Sequence, residues 1–282
     1  MDITRSVELG VVSAAAAVVG SMLGLGGGVF LVPIFTLFFE VEQKVAIGAS
    51  AVAVVTNSVV GSSVHLRSRF TNLRLAMLLQ TVTAAGATVG AVIGVYANPR
   101  VLYAIFGAVL VYAAVSMAAR RQAAPTAPAP DVRDPLRLGA AYRDPATGQT
   151  VAYVPDRVGF GLGISGVAGA LSGMLGIGGG AIQVPAMNLL MRVPVKAAAG
   201  TSSFMVGITA VATALVFYSR GEIDPTVVVP AVIGIFAGSQ LGSRLTRRVR
   251  TQRLVVVFVL ILFYLGVSLL LRAVDVTLPG QR

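Results

Sequence analysis

The chain has no cysteine and one histidine in 282 residues. The first absence excludes disulfides, thiolate nucleophiles and iron–sulfur ligation. With His65 alone, a zinc site lacks its ligand set, so no metal and no cofactor is expected. Charge is scarce too. Only 12% of residues are charged, against about 25% in a soluble domain. Outside the polar stretch 120–156 the acidic residues are Asp2, Glu8, Glu40, Glu42, Glu222, Asp224 and Asp275, all near the ends of apolar segments. No carboxylate falls mid-segment, where cation transporters and proton pumps usually keep one. Without a nucleophile–base pair or a metal cluster, an enzyme is not expected.

Apolar residues fill the sequence instead. They make up 56% of it, mean hydropathy is +0.85, and runs of about 20 apolar residues recur, long enough to cross roughly 30 Å of hydrocarbon. This composition predicts an all-α polytopic membrane protein, with the lipid bilayer as its first partner. The net charge of +11 does not point to nucleic acid. Many basic residues sit in short loops between apolar segments, as the positive-inside rule expects. The N-terminal apolar run has no cationic flank at residues 2–8 and matches 158–174, so it is expected to stay in the mature fold rather than be removed as a signal.

One motif occurs twice. Met22-Leu-Gly-Leu-Gly-Gly-Gly28 is followed by Val32-Pro33, and Met174-Leu-Gly-Ile-Gly-Gly-Gly180 by Val184-Pro185. The offset, 185 − 33 = 152, continues without a gap. Lys44 falls on Lys196, Gly48 on Gly200, Ser50 on Ser202, Gly86 on Gly238, Gly90 on Gly242 and Phe106 on Phe258. The chain reads as two tandem membrane repeats, 1–119 and 157–282, joined by a polar, proline-rich cytoplasmic linker, 120–156. A hairpin signal marks the linker's tail, where Tyr142, Thr150 and Tyr153 surround Asp144-Pro-Ala-Thr-Gly148. Each repeat has four apolar segments: 9–39, 45–65, 73–97 and 101–119, then 158–191, 195–218, 226–245 and 254–271. Gly86, Gly90 and Gly94, and Gly234, Gly238 and Gly242, predict close helix contacts.

The first segment of each repeat is broken at its glycines. At 1.5 Å per residue, 31–34 residues give roughly 50 Å of helix, long for one span and short for two. Two shorter helices meeting at the glycines as a re-entrant or kinked hairpin would fit. Placing the basic loops at 65–74, 120–121 and 244–253 inside the cell then makes the repeats inverted. A single crossing per broken segment gives eight spans and parallel repeats, with the 244–253 loop outside.

Breaking a helix in lipid strands backbone N–H and C=O groups, which is tolerable only beside a polar cavity. Paired interruptions in matching positions are a pointer to a transporter's binding site. Glycine admits positive φ and a close ligand, and the helices that restart near Val29 and Ala181 would favour an anion. The candidate substrate-binding residues are Gly26, Gly27, Gly28, Gly178, Gly179 and Gly180, with Ser50, Asn57, Gln183 and Ser202 on or beside the neighbouring segments. Gln183 has Leu31 as its counterpart, an asymmetry that suits an asymmetric ligand. A Rossmann reading of Gly176-Ile-Gly-Gly-Gly-Ala181 fails, because no strand precedes it and Lys196 stands where an acid is needed.

Gly24-Leu-Gly-Gly-Gly28 with Val32-Pro33, its twin Gly176-Ile-Gly-Gly-Gly180 with Val184-Pro185, and the following Lys44-Val-Ala-Ile-Gly48 and Lys196-Ala-Ala-Ala-Gly200 elements resemble the TauE/SafE sulfite-exporter family of membrane permeases. The resemblance covers nearly the whole chain except the linker. It implies a role in moving a small sulfur-containing anion, sulfite or an organosulfonate. The expectation is a secondary transporter of the bacterial inner membrane that exports this anion by alternating access. A passive anion channel and a membrane assembly factor are the alternatives.

Overall fold

A computed structural model describes residues 3–23, 26–67, 70–120, 134, 136–143, 149–245 and 251–274. Gly24, the loop arginines Arg247, Arg248 and Arg250, and the hairpin tip 144–148 lie outside these residues. The elements are α1 (Ile3–Leu23), α2 (Gly28–Phe38), α3 (Gln43–Arg67), α4 (Leu73–Tyr96), α5 (Pro99–Arg120), β1 (Ala140–Arg143), β2 (Thr150–Tyr153), α6 (Val158–Leu175), α7 (Gly180–Pro185), a π-turn at Ala186–Leu190, α8 (Val195–Ser219), α9 (Pro225–Leu245) and α10 (Thr251–Ala273). Six of these helices, α3, α4, α5, α6, α8 and α9, are long and apolar enough to span a bilayer. The expected all-α polytopic architecture is the one observed.

Each broken segment folds back on itself. Arg5, near the start of α1, donates from Nη2 to the Phe39 carbonyl that follows α2, at 2.5 Å. In the second half the Asp156 N–H, just before α6, donates to the Met191 carbonyl, at 3.0 Å. The two arms are unequal. α1 has 21 residues and α2 has 11, or about 31 Å against about 16 Å at 1.5 Å per residue. Equivalent left-handed residues, Glu40 (φ 53°) and Arg192 (φ 55°), close the two segments. Equivalent backbone bonds, Val41 N–H to Phe35 O and Val193 N–H to Met187 O, follow them. The second return arm differs in one respect. After Pro185 the ladder widens, and Met191 N–H reaches back five residues to Ala186 O, at 3.3 Å, as π-turns do, whereas α2 continues as α-helix past the equivalent Pro33.

Packing exchanges helices between the halves. α4 lies along α6, α1 along α9, α5 along α10, and α3 and α8 face each other. Glycines set the spacing. A Cβ at Gly90 would overlap the Ala170 carbonyl, one at Gly173 the Ala87 carbonyl, and one at Gly238 the Ala14 carbonyl. These backbones touch, and close contact of this kind replaces water expulsion as the cohesive force in lipid. On the outer face of α4, Met77, Val89 and Ile93 are exposed, as lipid contact requires.

The tail of the linker, where the sequence carries a hairpin signal, forms a hairpin docked on the membrane helices in its described residues. β1 and β2 pair antiparallel, Ala140 opposite Tyr153 and Arg143 opposite Thr150. Tyr142 meets Phe70 edge to face, with centroids 5.3 Å apart. Asn72 ties the hairpin to the membrane helices: its Nδ2 donates to Leu138 O at 2.8 Å, its Oδ1 caps α4 by accepting from Leu75 N–H at 3.1 Å, and its own N–H donates to Thr201 Oγ1 at 3.0 Å. Burial pushes the Tyr153 phenol above its ordinary value, partly opposed by a hydrogen bond with Asn72. Asn72→Ala removes a helix cap and a buried tether, and is expected to cost about 2 kcal/mol. The check is limited proteolysis of the purified protein: cleavage within 136–156 should speed up while the membrane helices stay intact. An unchanged digestion rate would mean that the aromatic contact and the bond from Arg74 Nη1 to Arg137 O hold the hairpin without Asn72.

Candidate functional site

The two glycine turns meet between α3 and α8. Gly26 and Gly27 have φ of 81° and 73°, and Gly178 and Gly179 have φ of 76° and 82°, a region that side chains with a Cβ rarely adopt. Gly26 and Gly178 face the same two valines. A Cβ on Gly26 would lie 2.8 Å from Val206 Cγ1 and 3.4 Å from Val54 Cγ1, and one on Gly178 would lie 2.9 Å from Val54 Cγ1. Val54 and Val206, which match at the repeat offset, form a small apolar cluster of their own with Ala210. Two valine side chains thus pack between the glycine turns.

Hydroxyls of α3 and α8 hold the second turn. Ser50 Oγ donates to the Gly176 carbonyl at 3.0 Å, with the Gly28 carbonyl 3.4 Å away. Thr209 Oγ1 lies 3.0 Å from the Gly178 carbonyl and 2.9 Å from Val206 O. The backbone carbonyls that the helix breaks would strand in lipid are satisfied this way.

A second group of polar side chains surrounds Gly179. Gln183 Nε2 donates to Thr83 Oγ1 at 3.3 Å, joining α7 to α4. Ser172, on the last turn of α6, places its Oγ 3.5 Å from where a Gly179 Cβ would be. Thr83, Ser172 and Gln183 are all buried. Around Gly27 the neighbours are Ala17 and Ile235.

The predicted residues therefore divide. Gly26, Gly28, Gly178 and Ser50 come together at the valine pair. Gly179 and Gln183 share the polar group, and Gly180 begins α7 beside it. Gly27 faces an apolar wall. Asn57 turns toward α9, where its Oδ1 accepts from Ser239 Oγ at 2.6 Å. Ser202 is fully buried on α8 with no hydrogen-bond partner, unlike its counterpart Ser50. α7 has only six residues before the π-turn, so its dipole is a minor part of this site. The sequence reading missed Thr83, Ser172 and Gln80. Their counterparts at the repeat offset are Ile235, Gly20 and Val232, so the same comparison that singled out Gln183 against Leu31 would have found them.

Among the described residues the buried polar side chains are all hydroxyls and amides. Such a set carries no fixed charge. The profile of the family described as sulfite exporter TauE/SafE matches residues 9–269. The chain belongs to the TauE/SafE family. Within the TauE/SafE match lie both glycine turns, all ten candidate residues and the docked hairpin. The probable membrane transporter protein YunE of Bacillus subtilis is 26% identical over 94% of this chain and 97% of its own length. A probable membrane transporter protein of Xylella fastidiosa is 28% identical over 80% of this chain and 79% of its own. The corresponding protein MJ0441 of Methanocaldococcus jannaschii is 22% identical over 93% and 94%. No solved structure matches the chain. Membrane transport is the function this TauE/SafE relationship supports, in an integral membrane protein.

Proposed function

We propose that the protein is a secondary transporter that moves a small sulfur-containing anion, sulfite or an organosulfonate, out across a bacterial inner membrane by alternating access. The observation that carries the reading is the meeting of two broken segments, one from each half, at Val54 and Val206. Paired interruptions facing each other near mid-membrane are where transporters bind substrate. The valine packing between them fits a path that opens to one side at a time better than an open pore. The family's name supplies the sulfur anion.

The halves are read as inverted repeats, 1–119 and 157–282. Each broken segment begins and ends at one end of the molecule, and three helices follow it in each half. An odd number of crossings then separates the start of one half from the start of the other. On this reading the linker and the arginine-rich 244–253 loop share one side, which the positive-inside rule makes cytoplasmic.

Counterflow tests the reading. Proteoliposomes preloaded with unlabelled sulfite are expected to accumulate radiolabelled sulfite transiently above its equilibrium level. Flux that equilibrates without overshoot and does not saturate would indicate a channel instead. Complete absence of sulfite and sulfonate flux would remove the sulfur-anion assignment.

A further inference from the structure

The two glycine turns are not chemically equivalent. Thr83, Ser172 and Gln183 line the second, and the matching positions at the first hold Ile235, Gly20 and Leu31. A Cβ at Gly20 would overlap the Gly27 backbone, so the first turn has no room for a serine there. The second turn's hydrogens can be followed one by one. Thr83 donates its only hydroxyl proton to Leu79 O at 2.7 Å. Its oxygen is left to accept, and it accepts from Gln183 Nε2 at 3.3 Å. That bond orients the amide. Gln183 Oε1 consequently faces away from Thr83, buried and without a partner, and Ser172 Oγ is likewise buried without one. A Cβ on Gly179 would stand 3.5 Å from Ser172 Oγ and 3.6 Å from Gln183 Nε2, so the glycine leaves a methyl-sized space beside both. One turn before Thr83 on α4, the buried Gln80 has both amide atoms unpartnered. Native proteins rarely leave so many buried polar atoms unsatisfied in one region.

We infer that these atoms form a single ligand site at the second glycine turn, for a monoanion that carries its own hydrogen-bond donor. The inference rests on the transport reading above and deepens it. Ser172 O–H and the free N–H of Gln183 donate to the anion's oxygens. Gln183 Oε1 accepts from the ligand. A ligand with acceptors alone would set an oxygen against Oε1. No lysine or arginine is among the buried residues described, so a second negative charge would lose its hydration with no compensation. Hydrogensulfite and hydroxysulfonates have the required chemistry. Sulfate, fully ionised sulfite and simple alkylsulfonates lack it.

Thermal stabilisation of the purified full-length protein tests this. Isethionate, which has a hydroxyl, is compared with ethanesulfonate, which has the same carbon chain and no donor. Sulfite is compared at acid and alkaline pH. Isethionate is expected to stabilise at concentrations at least about tenfold below ethanesulfonate, or sulfite to stabilise mainly at acid pH. The first outcome assigns the donor to a hydroxyl, the second to the acid proton. Equal stabilisation by both sulfonates, with no pH dependence for sulfite, overturns the proposal. Gln183→Leu, the residue of the first turn, should erase whichever preference is seen. If that variant does not purify as a monodisperse species, Thr83→Val should weaken the preference by releasing the amide. A preference that survives intact in the variant that does fold overturns the site. Wild-type sulfite counterflow separates the two failures: flux without discrimination removes this site alone, while no binding and no flux removes the transport reading and the site with it.

Discussion

In proteoliposomes, Gly179→Leu is expected to insert and purify like the wild type and to carry no sulfur anion above background. Two costs meet at this residue. Its φ of 82° charges any side chain with a Cβ about 1–2 kcal/mol, which a folded membrane domain tolerates. The leucine body would also fill the space beside Ser172 Oγ and Gln183 Nε2, which now lie 3.5 and 3.6 Å from the Cβ position. Displacing a ligand by an ångström or more lowers its rate on the order of 100-fold. Gly179→Ala separates the two costs. It carries the φ strain, but its methyl meets Ser172 Cβ at 3.4 Å, an ordinary contact. Alanine should therefore retain measurable flux where leucine retains none. Normal flux in Gly179→Leu would remove the second glycine turn from the transport path.

Gly90→Leu is expected to fail earlier, at folding. Gly90 lies where α4 touches α6, and even a methyl there overlaps the Ala170 carbonyl. The obstacle is backbone, so rotamer changes give no relief. The helices must separate, and in lipid no hydrophobic force holds them once packing is lost. A cost of about 3 kcal/mol or more follows, at the upper end for overpacking. The readout is the yield of monodisperse protein and its melting temperature, both of which should fall sharply. Gly61→Ala is the comparison, since a Cβ there meets nothing within 4 Å. A Gly90→Leu protein with wild-type melting would mean that α4 and α6 do not pack this closely.

Much of the helical layout was legible in the sequence because membrane helices are written in long apolar runs. The segment read at 73–97 is α4 (Leu73–Tyr96), and that at 195–218 is α8 (Val195–Ser219). The helix breaks were legible because only glycine-rich backbone adopts successive positive φ values. Gln183 was legible as a candidate because a polar residue stood opposite a leucine at the repeat offset. The fate of Asn57 was not, since a buried amide takes whatever partner tertiary packing supplies, and here that partner is Ser239 on α9. The hairpin at the tail of 120–156 was legible from its turn residues, but its docking was not, because Asn72 and Phe70, which hold Leu138 and Tyr142, lie far away in sequence.

By itself the sequence determined the class of protein, the membrane segments, the two glycine breaks and the placing of its carboxylates outside the middle of the apolar runs. These follow from composition and local backbone preference. Only the tertiary structure decided that α1 packs on α9 and α6 on α4. It alone placed Val54 and Val206 at the centre, and brought Thr83 and Ser172 to Gln183 while Ile235 faces Gly27. Small residues occur on several faces of these helices, so periodicity cannot select the face that packs. That choice is made by which backbones approach closely enough to touch.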